Sequence, residues 1–217
     1  MSKVLELFAG SRSFSKQAAK LGMQTFATDI TQFGSIDYVV DILDFNYSEV
    51  PFIPDIIWAS PPCTGFSVAA IGHHWTGGYR AYEPRTDTAR LGIKLVQKTR
   101  EIIAHYQKLN PNLIWYIENP RGVLRKLPVI AGAPYHHTVT YCQYGDDRMK
   151  PTDIWTNNAN WMPRKPCKNG ANCHVAAPRG SRTGTQGRKG AYDRSRVPDE
   201  LCKELLLASS VKEMELV

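Results

Sequence analysis

No apolar run in the chain approaches the roughly 20 residues that a membrane-spanning helix requires, so insertion into a bilayer is not expected. Cysteine is scarce: the five present, Cys63, Cys142, Cys167, Cys173 and Cys202, are odd in number and widely scattered. That pattern argues against a disulfide framework and leaves reduced thiols as the expectation. The start of the chain lacks the basic, long apolar and small-residue stretches of a secretion signal, moving from Met1-Ser2-Lys3 directly into a strand-like run, which points to the cytoplasm. There is no internal repeat. At 217 residues the chain is too short for two ordinary domains, so a single domain over residues 1–217 is expected.

What is present is charge, unevenly placed. The net charge is +7, yet residues 121–196 hold 14 Lys and Arg against 4 Asp and Glu, while the remainder is slightly acidic. Clustered cations on an otherwise near-neutral protein suit a polyanion, because neutralising phosphates needs Lys and Arg close together. Nucleic acid is therefore the expected partner, a basic surface kept for solubility being the bland alternative.

The pattern of apolar residues predicts alternating strands and helices. Residues 3–7 read as a strand, followed by a glycine turn at Gly10 and a helix from Ser13 to Gly22. Further strands run from Gln24 to Asp29, from Tyr38 to Asp41, and over Ile56-Ile57-Trp58-Ala59, where Ser60-Pro61-Pro62-Cys63 stops the ladder. Residues 68–87 show little periodicity and read as a long mobile loop, a lid whose His73, His74, Trp75, Tyr82 and Arg85 could touch nucleic acid. A helix follows from about Thr86 to Leu109, with Leu91, Leu95, Ile102 and Ile103 apolar, and then a strand from Leu113 ending at Glu118-Asn119-Pro120. Strand-like pieces at 136–141 and 153–155, a basic insertion, and a helix from Pro198 to about Met214 complete the chain. This alternation predicts a doubly wound α/β sheet with ligands beyond the carboxyl ends of the strands.

Leu7-Phe8-Ala9-Gly10, Asp29, Asp41-Ile42, Ser60-Pro61-Pro62-Cys63 and Ile117-Glu118-Asn119-Pro120 occur in order. Together they resemble the cytosine-C5 DNA methyltransferase family, in a compact form similar to its phage and prophage members. The resemblance implies a Rossmann-like methyltransferase sheet, S-adenosylmethionine as cofactor, and a flipped cytosine of double-stranded DNA as substrate, handled by a monomer. It implies that Cys63 adds to C6 and that Glu118 holds a proton near N3 while Asn119 positions that carboxylate or the base. Phe8, Ala9, Gly10, Ser11, Asp29, Ile30, Asp41, Ile42 and Pro61 would then bind the cofactor. Carboxylates past the second and third strands suit ribose hydroxyls and adenine better than phosphate.

The chain departs from that family at two places. Arg12 stands where a second glycine is usual, and the family's glutamine followed by alternating arginines becomes Gln143-Tyr144-Gly145-Asp146-Asp147-Arg148-Met149-Lys150. Arg148, or else Lys150, is expected to replace the missing contacts to the cytosine, and Arg196 to close the sheet or touch DNA. Residues 158–195, including the glycine- and arginine-rich stretch from Gly180 to Gly190, are expected to form a reduced target-recognition region, a flexible linker being the alternative for that stretch. Cys142 and Cys202 read as buried structural thiols. Cys167, Cys173 and His174 offer three zinc ligands without an evident fourth. Transfer-RNA cytosine methylation and a catalytically silent DNA-binding protein are the rival functions.

Overall fold

The computed structural model describes residues 1–68, 71–78, 81–176 and 190–210. Its main sheet is built from β1 (Lys3–Leu7), β2 (Gln24–Asp29), β3 (Tyr38–Val39), β4 (Ile56–Ala59), β7 (Ile114–Pro120), β8 (Tyr135–Thr140) and β9 (Pro151–Thr156). The strand order is β3-β2-β1-β4-β7-β9-β8, parallel except that β9 runs against both its neighbours. The short β5 (Trp75–Thr76) and β6 (Glu83–Pro84) form a separate hairpin. The helices are α1 (Ser13–Lys20), α2 (Ile71–His74), α3 (Asp87–Leu109), α4 (Ala191–Ser195) and α5 (Asp199–Ser210).

Parallel strands covered on both faces need apolar residues at every position rather than at alternate ones, and β4 is buried throughout. Its two sets of side chains enter two cores. Ile57 and Ala59 join Leu5, Leu7, Ile117 and the α3 residues Leu95, Val96 and Ile102. Ile56 and Trp58 face the other way, with Phe14 of α1, Tyr116 and the α5 residues Leu201 and Leu205. Phe14 stacks on Trp58 with ring centroids 4.7 Å apart, a contact worth about 1 kcal/mol beyond burial.

The first helix has no side-chain cap of its own. Instead Glu6, buried within β1, accepts the backbone N–H of Ser15 at 2.8 Å and of Phe14 at 3.3 Å, satisfying donors that every helix start leaves free. Burial pushes the Glu6 carboxyl up to about 7, against the lowering effect of those hydrogen bonds. The third helix is capped conventionally, the Thr86 hydroxyl accepting the N–H of Ala89 at 3.3 Å.

Several sequence expectations need correction. The segment over 68–87 is not a loop free of structure: it holds α2, β5 and β6, and Trp75 is buried with its Nε1 donating to the carbonyl of Gly65 at 2.6 Å. Trp75 stacks on Phe66, and Tyr82 packs edge-on against it, so hydrophobic burial took residues that composition offered to nucleic acid. His74 is buried too, its Nδ1 2.7 Å from the Thr86 hydroxyl; burial lowers its pKa. Leu91 faces outward from α3. The strand expected to end at Glu118-Asn119-Pro120 does run to Pro120, and β9 pairs with it that far: Glu118 sits opposite Ile154 and Asn119 opposite Asp153. Gly180 to Arg188 and the last residues of the expected terminal helix lie outside the described residues. No described helix is long and apolar enough to cross a membrane.

Candidate active site

Ligands in open α/β sheets bind beyond the carboxyl ends of the strands, where the strand order reverses. That point here lies between β1 and β4, and the ends of β1, β2, β4 and β7 surround a cavity of about 290 Å³. Phe8, Gly10, Asp29 and Ile30 line one side, and Pro61, Cys63 and Glu118 line the other. Seven of the expected site residues thus share one space although they span 111 positions of sequence, from Phe8 to Glu118.

The glycine turn is held in left-handed backbone. Phe8, Gly10 and Arg12 have φ of 56°, 49° and 57°. Arg12 therefore adopts the conformation for which glycine is the usual choice. Its guanidinium offsets part of that strain by pairing with Asp37 at 3.2 Å and by donating to the carbonyl and hydroxyl of Ser35. Asp29 closes the turn from β2: its two carboxylate oxygens accept the N–H of Gly10 and of Thr31, each at 2.9 Å. Each oxygen keeps acceptor capacity for a ligand hydroxyl. Above the turn, a Cβ on Gly10 would come within 2.8 Å of Ser195 Oγ, so glycine is what lets α4 lie against the cleft.

Cys63 follows two prolines and opens a tight turn, its carbonyl accepting the N–H of Phe66 at 2.9 Å and of Ser67 at 3.1 Å. Two contacts from β7 and its exit fix this loop. Asn119, fully buried, donates through Nδ2 to the carbonyl of Pro61 at 2.8 Å. Val123 N–H donates to the carbonyl of Phe66 at 2.9 Å, across a gap so narrow that a Cβ on Gly122 would stand 2.2 Å from that oxygen. The surrounding protein pushes the Cys63 thiol up by desolvation; Lys150 and Arg194 pull it down, and Glu118 adds to the rise.

Glu118 is buried, and its Oε1 accepts the Tyr141 hydroxyl at 3.0 Å. Burial and the neighbouring Glu118 push the Tyr141 phenol far above its ordinary range, so it remains a donor. Lys150 completes the arrangement, lining the cavity beside Glu118 with its ammonium 4.5 Å over the Tyr141 ring and donating to the carbonyl of Arg194 at 3.4 Å. Desolvation lowers the Lys150 pKa, while Glu118 and Cys63 oppose that.

Other expected residues stand elsewhere. Arg148 is buried behind this group, locked to Asp146 by two side-chain hydrogen bonds and donating to the carbonyl of Arg196. Gln143 points at the sulfurs of Cys142 and Cys173. Ser11 is buried against Ser13, and Ala9 is buried in a small core with Ala27 and Ile36. The Ile42 side chain lies in the main core, and Asp41 caps the turn over it by accepting the N–H of Leu43 at 3.0 Å. Glu6 and Tyr141 were not singled out by sequence; the signal for Glu6 is its place on the strand leading into the Phe8-Ala9-Gly10 turn, and Tyr141 carries none.

No protein-family model matches the chain. It is 31% identical over 223 residues to the "Probable DNA (cytosine-5)-methyltransferase" of Frog virus 3 (isolate Goorha), a match covering 94% of this chain and 98% of that one. Among solved structures it is similar to the "putative DNA modification methyltransferase encoded within prophage" of Escherichia coli. That match has 17% identity and a TM-score of 0.52, over 77% of this chain and 53% of the other. It is also similar to the Entamoeba histolytica methyltransferase EhMeth, at 13% identity and a TM-score of 0.50, over 77% of this chain and 57% of that one. The chain thus spans little more than half the length of these solved structures, and at such identities the likeness is one of fold.

Proposed function

The chain belongs to the cytosine-C5 DNA methyltransferase family, and from that premise we propose that it transfers a methyl group from S-adenosylmethionine to C5 of a cytosine flipped out of duplex DNA. The observation that carries this reading is the meeting of Cys63, Glu118 and Lys150 in the same cavity as Phe8, Gly10 and Asp29.

The cavity has the chemistry the cofactor needs. Asp29 offers acceptors for ribose hydroxyls, Ile30 and Phe33 present apolar surface to a purine ring, and Phe8 and Gly10 line the cavity where the methionine end would lie. When bound, S-adenosylmethionine supplies an electrophilic methyl group.

The cytosine must leave the stack, because its ring faces are otherwise covered. Cys63, as thiolate, adds through Sγ to C6 and so makes C5 nucleophilic. Glu118 holds the proton at N3 that keeps charge off the adduct, and Tyr141 fixes the free rotation of Glu118. Lys150 stabilises the thiolate against the cost of desolvation, the part expected of a cation beside a reactive cysteine. Asn119 acts as a positioning residue through Pro61. Water takes the C5 proton, the C5–H electron pair re-forms the C5–C6 double bond, and Sγ leaves C6 as thiolate, restoring the aromatic ring.

Residues 158–195 form the reduced target-recognition segment in this reading, their exposed Lys165 and Lys168 meeting DNA phosphates. Nucleoside mass spectrometry tests the proposal, using unmethylated DNA and, separately, transfer RNA incubated with protein and S-adenosylmethionine. The expected product is 5-methylcytosine in DNA, absent with Cys63→Ala. Product in transfer RNA alone would overturn the substrate, and product undiminished by Cys63→Ala would overturn the nucleophile.

A further inference from the structure

Away from the cavity, four metal-ligating side chains converge from distant parts of the chain. Cys142 lies in the turn that follows β8, whereas Cys167, Cys173 and His174 belong to the irregular segment after Asn158. Their ligand atoms all lie within 4.8 Å of one another. Cys142 Sγ is 3.1 Å from Cys167 Sγ and 3.7 Å from Cys173 Sγ, and His174 Nδ1 is 3.7 Å from Cys167 Sγ and 3.6 Å from Cys173 Sγ.

A tetrahedral zinc ion with Zn–S near 2.3 Å and Zn–N of about 2.0–2.1 Å sets its ligand atoms roughly 3.6–3.8 Å apart. Three of these four separations match that spacing, and the fourth, between Cys142 and Cys167, has to open by about 0.7 Å. Sequence spacing offered three ligands and no fourth; the fold supplies Cys142, 25 residues before Cys167, which alone would pass for a buried structural thiol. We propose that Cys142, Cys167, Cys173 and His174 form a structural zinc site.

Three sulfurs and one imidazole select a borderline or soft metal and reject magnesium and calcium. All four positions are filled by protein, which marks a closed structural centre rather than a Lewis acid for chemistry. Binding converts three thiols to thiolates, their protons passing to solvent.

The site has a physical task. No described residue from 159 to 176 lies in a strand or helix, so few backbone bonds hold this segment down. Its start is tied to α5, where Trp161 Nε1 and Arg164 Nε each donate to Glu204 at 3.0 Å and Arg164 pairs with Glu200 at 2.7 Å. Further ties go to the turn beside Cys142, Cys167 N–H donating to the Thr140 hydroxyl at 2.9 Å, Val175 N–H to the Asp147 carbonyl at 2.9 Å, and Arg164 to the Gln143 carbonyl at 2.6 Å. Zinc staples the basic segment to the stretch of chain that leads from Cys142 to Lys150. It thereby couples the DNA-facing segment to the cavity without entering the reaction.

The test is metal analysis of the whole protein purified under reducing conditions from zinc-supplemented cells, with cobalt(II) substitution as a spectroscopic check. Stoichiometric zinc and the intense visible bands of tetrahedral cobalt with thiolate charge transfer are expected. Cys142→Ser should lose most of the zinc, Cys202→Ser should keep it, and His174→Cys should keep it with stronger thiolate charge transfer. Metal-free protein that gives no cobalt spectrum would overturn the site, as would a Cys142–Cys167 disulfide under those conditions. Full zinc in Cys142→Ser would remove Cys142 from it. If Cys142→Ser does not fold, wild-type stoichiometry and the His174→Cys spectrum decide the matter, neither depending on activity.

Discussion

The Tyr141 hydroxyl stands 3.0 Å from Glu118 Oε1 in the interior, joining the turn after β8 to β7 across 23 positions of sequence. In the proposed reaction the Glu118 carboxylate holds a proton on the substrate ring, and this bond restrains its side-chain torsions before substrate arrives. Tyr141→Phe keeps the ring under Lys150 and deletes only the bond. Turnover should fall about tenfold, the scale of one hydrogen bond of about 1–1.5 kcal/mol, with the cofactor dissociation constant unchanged. Calorimetry beside single-turnover rates checks this; an equal loss of cofactor affinity would make Tyr141 a packing residue.

Covalent addition by Cys63, as proposed, would leave a trace that activity alone does not. DNA carrying 5-fluorocytosine cannot lose a proton from C5, so Sγ stays bonded to C6 once the methyl group has moved. Wild-type protein should form a complex with this DNA that survives denaturing electrophoresis, and Cys63→Ala should form none while still binding cofactor. A surviving complex in the variant would assign the addition to another residue.

Burial pushes the Cys63 thiol upward and Lys150 is the first charge opposing it. The thiolate is the reactive form, so the rate should climb with pH through neutrality. Removing the cation in Lys150→Met should move that rising limb to higher pH, and a displacement of one pH unit would cost about tenfold in rate below it. Lys150→Arg should restore part of the rate. An unchanged pH profile in Lys150→Met would separate Lys150 from the thiol.

Gly10 combines a φ of 49° with a neighbour, Ser195 Oγ, 2.8 Å from where a Cβ would be. Gly10→Ala should lower stability by about 1–2 kcal/mol for the left-handed backbone and weaken cofactor binding by displacing α4. Gly10→Ala combined with Ser195→Gly should recover part of the binding but little of the stability. Wild-type affinity in Gly10→Ala would mean that α4 does not set the width of the cleft.

Glu6 links the cofactor turn to pH. Its folded pKa, pushed up to about 7 by burial, exceeds the ordinary carboxyl value of 4.5. The protonated form is thus the one the fold prefers. Its contribution to stability is complete below the unfolded pKa and is lost as pH rises towards 7, by an amount on the order of 3 kcal/mol. Urea midpoints should fall between pH 5 and pH 8 in the wild type and fall less in Glu6→Gln. Parallel curves would place the pH dependence elsewhere.

Strands β4 and β7 were legible in the sequence because strands buried on both faces need near-continuous apolar runs, while the shorter apolar stretches of β1 and β2 were marked by the glycine turn and the carboxylate that end them. Phe8, Gly10, Asp29, Cys63 and Glu118 each sit at or just beyond the end of such a stretch, and it was the resemblance of these motifs, in order, to the cytosine-C5 DNA methyltransferases that singled them out. The hairpin around Trp75 was not, since its burial depends on Phe66 and Gly65 rather than on any period of its own.

The sequence by itself determined the alternation of strands and helices of an α/β sheet and the ends of its strands, because apolar patterning and the glycines and prolines that break it act over a few neighbouring residues. Only the tertiary structure decided that β9 reverses direction, that Lys150 rather than Arg148 reaches the cavity, and that Cys142 joins Cys167, Cys173 and His174. Each of these rests on side chains brought together from well-separated stretches of the chain. A lysine in a basic segment, or a cysteine on an edge turn, is chemically identical wherever it points, and packing alone fixes its direction.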